Sequence, residues 1–135
     1  ILGRVGGGVF AEKKGWQFEM VIAFIGMATA ILLLYFLKNL LVLYLFALVF
    51  GVCHGGRMIS QTGILGAYFG TQSLGELIGI LNAIGTLVGA LGPMLAGFVF
   101  DRSGSYLPAL ASFILFYAVA IVVALRLRPP RLLPA

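Results

Sequence analysis

At 135 residues the chain is 61% hydrophobic and only 10% charged, with a mean hydropathy of +1.12 and a net charge of +5. A soluble domain carries about 25% charged residues, and a globule of this size cannot cover so much apolar surface with polar groups. The composition excludes an ordinary water-soluble fold. The dispersed basic residues, with no folded polar domain to present them, exclude a nucleic-acid binder.

Four stretches carry no charge: residues 20–37, 40–53, 77–100 and 106–125. A helix needs roughly 20 apolar residues to cross a hydrocarbon core of about 30 Å, and lipid demands that backbone polar groups be satisfied within the segment. The runs are continuous rather than alternating, so they read as helices and not as barrel strands. The expected fold is an all-α polytopic membrane protein with four transmembrane helices.

Residues 1–15 read as the end of a preceding helix followed by a polar loop, Glu12-Lys13-Lys14-Gly15. The opening Ile1-Leu2-Gly3 lacks the charged region and cleavage site of a signal peptide, and the expectation is a C-terminal piece of a longer protein. Trp16 stands as an interfacial anchor at the head of a first span, 16–37. Lys38-Asn39 is a joint so short that the first two spans must be antiparallel neighbours. The second span, 40–66, reaches full length by taking His54 and Arg57 into the membrane. It has two possible exits, Ser60-Gln61-Thr62-Gly63 and Gly70-Thr71-Gln72-Ser73. The third span is 74–100, the outer turn runs from Asp101 to Ser105, and the fourth span is 106–126. Pro129-Pro130 closes the last helix, leaving a tail at 127–135.

Four spans put both ends on one side. Arg4, Lys13, Lys14, Arg57, Arg126, Arg128 and Arg131, seven of the nine basic residues, fall on that side, with Lys38 and Arg102 opposite. The positive-inside rule makes it the cytoplasmic side, so the protein is expected to be integral to a plasma or inner membrane with both termini cytoplasmic. The single cysteine, Cys53, rules out an intrachain disulfide and reads as a small core residue. No metal-ligand spacing, cofactor motif or catalytic constellation occurs.

Glycine recurs in the third span. Gly75/Gly79 and Gly85/Gly89, like Gly51/Gly55 in the second span, have the spacing that lets helix backbones approach closely. Plain packing and sliding of one helix on another both remain open. Gly92-Pro93 is expected to bend the third span, because proline removes a helical hydrogen bond and crowds the preceding turn.

Polar residues at depth carry the functional argument. Arg57 lies roughly 26 Å along the second helix from Leu40, and His54 roughly 21 Å. Three residues apart, they share a face. An arginine in hydrocarbon costs about 2.5–3.5 kcal/mol on insertion scales. Either Arg57 snorkels to the interface, or it lines a site for an anion, where its planar fork matches a carboxylate. His54 would add a hydrogen bond or a titratable proton. Asn82 either bonds to a neighbouring helix or lines the same cavity. Glu19 and Glu76 read as solvated carboxylates at helix starts, where the dipole favours them.

The stretch from Gly3 to Gly15 resembles the signature loop of the major facilitator superfamily: glycine, small or apolar residues, an acid, a base, one further residue and glycine. Gly8, Glu12, Lys13 and Gly15 carry it, with Glu12 in place of the usual aspartate and Lys13 of the usual arginine. Trp16 and Gln17 replace the usual basic pair after the last glycine. Leu91-Gly92-Pro93-Met94-Leu95-Ala96-Gly97, then Asp101, Arg102, Gly104 and Tyr106, resemble the last two helices of monocarboxylate or oxalate/formate-type porters.

The resemblance implies helices 9 to 12 of a twelve-helix secondary transporter working by alternating access. Glu12 and Lys13 would belong to a cytoplasmic gate, and Arg57 and His54 would face the central cavity or its inner vestibule; as substrate-binding candidates Arg57, His54 and Asn82 rest on the reading of the residues themselves. The substrate implied is a small organic anion, a monocarboxylate or dicarboxylate, moved with protons or against a counter-anion as symporter or antiporter. The partners implied are the lipid bilayer and the N-terminal helices of the same transporter. Two other readings stand beside it: a small oligomeric four-helix exporter, and a non-transporting subunit or scaffold packed through glycine faces.

Overall fold

The computed structural model describes residues 2–36 and 39–127. Within them lie five helices and no strand: α1 (Leu2–Lys14), α2 (Trp16–Tyr35), α3 (Leu40–Phe69), α4 (Leu74–Ser103) and α5 (Leu107–Arg126). By length and composition α2, α3, α4 and α5 can each cross a membrane.

The breaks between helices have local causes. Gly15 adopts φ 99°, a left-handed conformation that side chains resist, and turns the chain between α1 and α2. Glu12 and Lys13 therefore sit on the last turn of a helix and not in a loop, as the sequence reading had them. Asn39 caps α3, its side chain accepting a hydrogen bond from the Val42 N–H at 3.1 Å. Leu37 and Lys38 lie outside the described residues, as do the Pro129-Pro130 stop and the tail basic residues Arg128 and Arg131.

α3 ignores its first possible exit and continues beyond residue 66 to Phe69, ending at Gly70 with φ 74°. The polar run is accommodated inside the helix. Thr62 Oγ1 donates back to the Met58 carbonyl at 3.2 Å, and Ser60 is fully buried against α2. α4 likewise runs past residue 100, so Asp101 and Arg102 are helical, and the turn itself is Gly104 (φ 67°) to Tyr106. α4 remains one helix through Pro93, although the Gly89 carbonyl loses its regular donor there. α5 opens with Pro108 in its first turn, where the missing N–H has no helical partner to lose.

α2 is the axis of the packing. It runs antiparallel to α3, with Glu19 beside Ser60 and Gly26 beside Cys53. It also runs antiparallel to α5: Gln17 Nε2 donates to the Ala124 carbonyl at 2.9 Å, and at the other end Tyr35 OH donates to the Leu107 carbonyl at 2.9 Å. α1 lies parallel to α3 along a glycine seam. There Gly3 meets Val52, Gly7 meets Gly56 and Gly8 meets Ile59.

The buried core consists largely of small residues, Ala11, Ala23, Ala30, Ala109 and Ala124, with Val21, Met27 and Ile31. Large apolar side chains point outward, among them Leu87 and Met94 on α4 and Phe116 on α5. This distribution suits lipid as the solvent. Hydrocarbon gives large side chains no reason to hide, and helix association then depends on close van der Waals approach between small residues.

The sequence reading named Gly51/Gly55 on α3 as well as the α4 pairs, and Gly55 takes part in the seam, an added Cβ there standing 3.3 Å from the Arg4 backbone nitrogen. At Gly75, Gly79, Gly85, Gly89, Gly92 and Gly97, as at Gly51, nothing lies within 4 Å of where a Cβ would be, among the described residues. No residue of α4 is buried.

Candidate functional site

The glycine seam brings the first turn of α1 against the middle of α3 and so delivers Arg4 beside Met58, its guanidinium 3.7 Å from the thioether sulfur. A cleft of about 200 Å³ opens there, lined by Arg4, Met58, Ile59, Gln61, Thr62, Ile78 and Asn82 from α1, α3 and α4. Arg57 does not line it, but its Nη1 donates to Oε1 of Gln61, which does, at 3.0 Å. The two residues are one helical turn apart, so the bond holds the guanidinium along the helix.

The cleft collects donors. One guanidinium, that of Arg4, and two carboxamides line it, a second guanidinium is bonded to Gln61 in its wall, and no carboxylate lines it. Arginine presents five N–H donors in a fixed fork, and Gln61 takes one of Arg57's. What remains is suited to a planar anion such as a carboxylate. Larger cavities of about 380 Å³ beside Trp16 and Tyr68, and about 440 Å³ beneath Phe113 and Phe116, have mainly apolar walls. The second has no charged residue in its lining, and the first has Lys14 and Gln17.

Of the residues singled out in the sequence, Asn82 lines this cleft, and Arg57 bonds to Gln61 in its wall without lining it. His54 does not: it is exposed, with its ring stacked on Phe50 at 5.9 Å between centroids. Arg4, counted in the sequence as a topological charge ahead of the first span, is the residue missed. Its signal was an arginine inside the otherwise apolar run of residues 1–10. Glu19 is a correction of the opposite kind. It is 6% exposed, not solvated, and accepts a short hydrogen bond from Ser60 Oγ.

The two turn motifs are built as follows. Glu12 and Lys13 are exposed on the final turn of α1, where lysine complements the negative end of the helix dipole. Gly15 donates back to the Ala11 carbonyl at 2.8 Å, and its own carbonyl accepts from Glu19 at 3.2 Å. Gly8 packs against Ile59, with ordinary contact for an added Cβ at 3.7 Å. At the other turn, Arg102 stacks over Phe98, 4.4 Å from the ring centroid, and Tyr106 stacks on Phe100 at 4.4 Å. The first contact lies along α4, and the second clasps the end of α4 to the start of α5 around Gly104. Asp101 is exposed on the same turn.

The profile of one protein family, the Major Facilitator Superfamily, matches residues 1–135. No curated protein and no solved structure matches the chain at a significant level.

Proposed function

The chain belongs to the Major Facilitator Superfamily, a family of membrane transporters and not of enzymes, and from that premise we propose that it transports a small organic anion, a monocarboxylate or dicarboxylate, by alternating access. The observation that carries the reading is the donor-rich cleft in which Arg4 meets Gln61 and Asn82, with Arg57 bonded to Gln61 beside it. Two cations held within a membrane protein without an acid lining their cleft are costly unless an anion offsets them. A carboxylate substrate would supply that offset, and Asn82 would add a hydrogen bond from α4.

In this reading alternating access is a rocking of helices about a central site, and the remaining helices of the transporter close the cleft. Glu12 and Lys13 stand at the edge of the moving seam between α1 and α3, in keeping with a gate. The Gly15 turn and the end of α5 lie on the cytoplasmic side, as the distribution of basic residues favours.

The test is uptake of a panel of radiolabelled organic anions by the complete transporter, at matched membrane abundance. Losing a charge-assisted pair is worth about 1.5–3 kcal/mol, so Arg57→Ala should weaken apparent affinity roughly 10–100-fold or abolish uptake. Arg4→Ala should behave alike, and Arg57→Lys should recover only part. Unaltered anion uptake by both alanine variants would dismiss the cleft as the substrate site.

A further inference from the structure

Arg57 does not line the cleft, yet it fixes what the cleft presents. Its Nη1 donates to Oε1 of Gln61, one turn further along α3, and both side chains are half-buried. A guanidinium carries five N–H donors and no acceptor. It can therefore hold the oxygen of an amide but not the nitrogen. The amide is planar, with oxygen and NH2 on separate arms, so engaging Oε1 also aims Nε2. Reversing the amide would set donor against donor and give up a charge-assisted bond. Among the described residues Nε2 has no partner, and Gln61 belongs to the cleft wall.

The other polar groups of the wall are set less firmly. Asn82 is exposed and, among the described residues, without a partner, so its amide can present either end. Thr62 donates its hydroxyl proton to the Met58 carbonyl at 3.2 Å, which leaves its oxygen as an acceptor. Arg4 meets the Met58 sulfur, a weak acceptor, at 3.7 Å. The direction of Gln61, by contrast, is dictated by a charged neighbour.

We propose that Gln61 is a substrate-binding donor and Arg57 its positioning residue: Arg57 draws the Gln61 carbonyl out of the cleft, so that the NH2 group faces inward and, with Arg4, binds the anionic group of the substrate. The role rests on the organic-anion reading of the cleft and adds to it that Arg57 touches no substrate atom. The arrangement sorts ligands. Carboxylate oxygens only accept, and they match both Nε2 and the Arg4 fork. A neutral carboxamide of the same shape brings N–H groups that neither Nε2 nor Arg4 can accept, and a site left with unmatched polar groups rejects its ligand.

A double-mutant cycle on uptake of radiolabelled acetate and succinate by the complete transporter, at matched membrane abundance, tests this. Arg57→Ala alone should raise apparent KM roughly 10-fold or more with Vmax kept, since binding is what it removes. Added to Gln61→Ala, it should raise KM by less than about twofold, the ordinary error of additivity. Arg57→Lys, still a donor without an acceptor, should recover affinity only while Gln61 is present. A larger effect of Arg57→Ala in the Gln61→Ala background would overturn the proposal, because Arg57 would then act on the anion itself. An unchanged KM in Gln61→Ala would overturn it as well. Arg57→Met, which keeps an unbranched side chain at the position, replaces Arg57→Ala should that variant fail to fold. If the wild-type protein takes up neither acid, the substrate reading fails while the positioning role is still decided by nuclear magnetic resonance with 15N-labelled glutamine. The side-chain NH2 pair that vanishes in Gln61→Ala should become mobile in Arg57→Met, and a pair unchanged there would overturn the role.

Discussion

Gly7→Ala is the sharpest test of the seam between α1 and α3. A Cβ at residue 7 would stand 2.6 Å from the Gly56 Cα, whereas non-bonded carbons settle at about 3.5–4.0 Å. The two backbones would have to separate by about 1 Å, and a backbone atom in a helix cannot rotate aside. Overpacking of this kind costs about 1–3 kcal/mol. Gly8→Ala is the matched control: the nearest atom to its added Cβ is Ile59 Cγ2 at 3.7 Å, ordinary contact. Both substitutions gain about 1 kcal/mol of helix propensity, so the clash alone separates them. Thermal unfolding of the complete protein in mild detergent should place Gly7→Ala below Gly8→Ala, by about 2–4 °C for each kcal/mol in a protein of moderate size. A Gly7→Ala variant that melts at or above Gly8→Ala would refute the close approach of α1 and α3.

Two further substitutions test the helix ends. Gly104→Ala forces a side chain into the left-handed conformation at the end of α4 and should cost about 1–2 kcal/mol, read as a lowered melting temperature; an unchanged value would mean the turn adopts another geometry. Asn39→Ala removes the side-chain acceptor for the Val42 N–H and should cost about 1 kcal/mol. Faster amide hydrogen exchange confined to the first turn of α3 is the expected signature.

The all-helical architecture was legible because hydrocarbon solvent imposes a simple requirement: long charge-free runs with internally bonded backbones. Their ends were less legible. Ser60-Gln61-Thr62-Gly63 has the composition of a loop, yet Ser60 and Thr62 spend their hydroxyls on Glu19 and the Met58 carbonyl, and α3 continues. Small-residue spacing marks a helix that could pack closely without naming the partner. The seam formed on Gly3, Gly7, Gly55 and Gly56, while the equally suitable glycines of α4 met nothing among the described residues. Arg57 and Asn82 were recognisable as polar groups at depth. Arg4 and Glu19 were not, because both sit near ends of apolar runs, where charges are ordinarily solvated. Only the crossing of α1 over α3 brings one to the cleft and buries the other.

The tie from Gln17 to the carbonyls of Ala124 and Leu125 fastens the beginning of α2 to the last turn of α5, occupying acceptors that a helix terminus leaves open. Gln17 stands two residues beyond Gly15. Any swing of α1 about that glycine thus pivots on a helix held by an anchorage reaching across the bundle. α2 and α5 form the fixed post, and α1 is the leaf that turns on it.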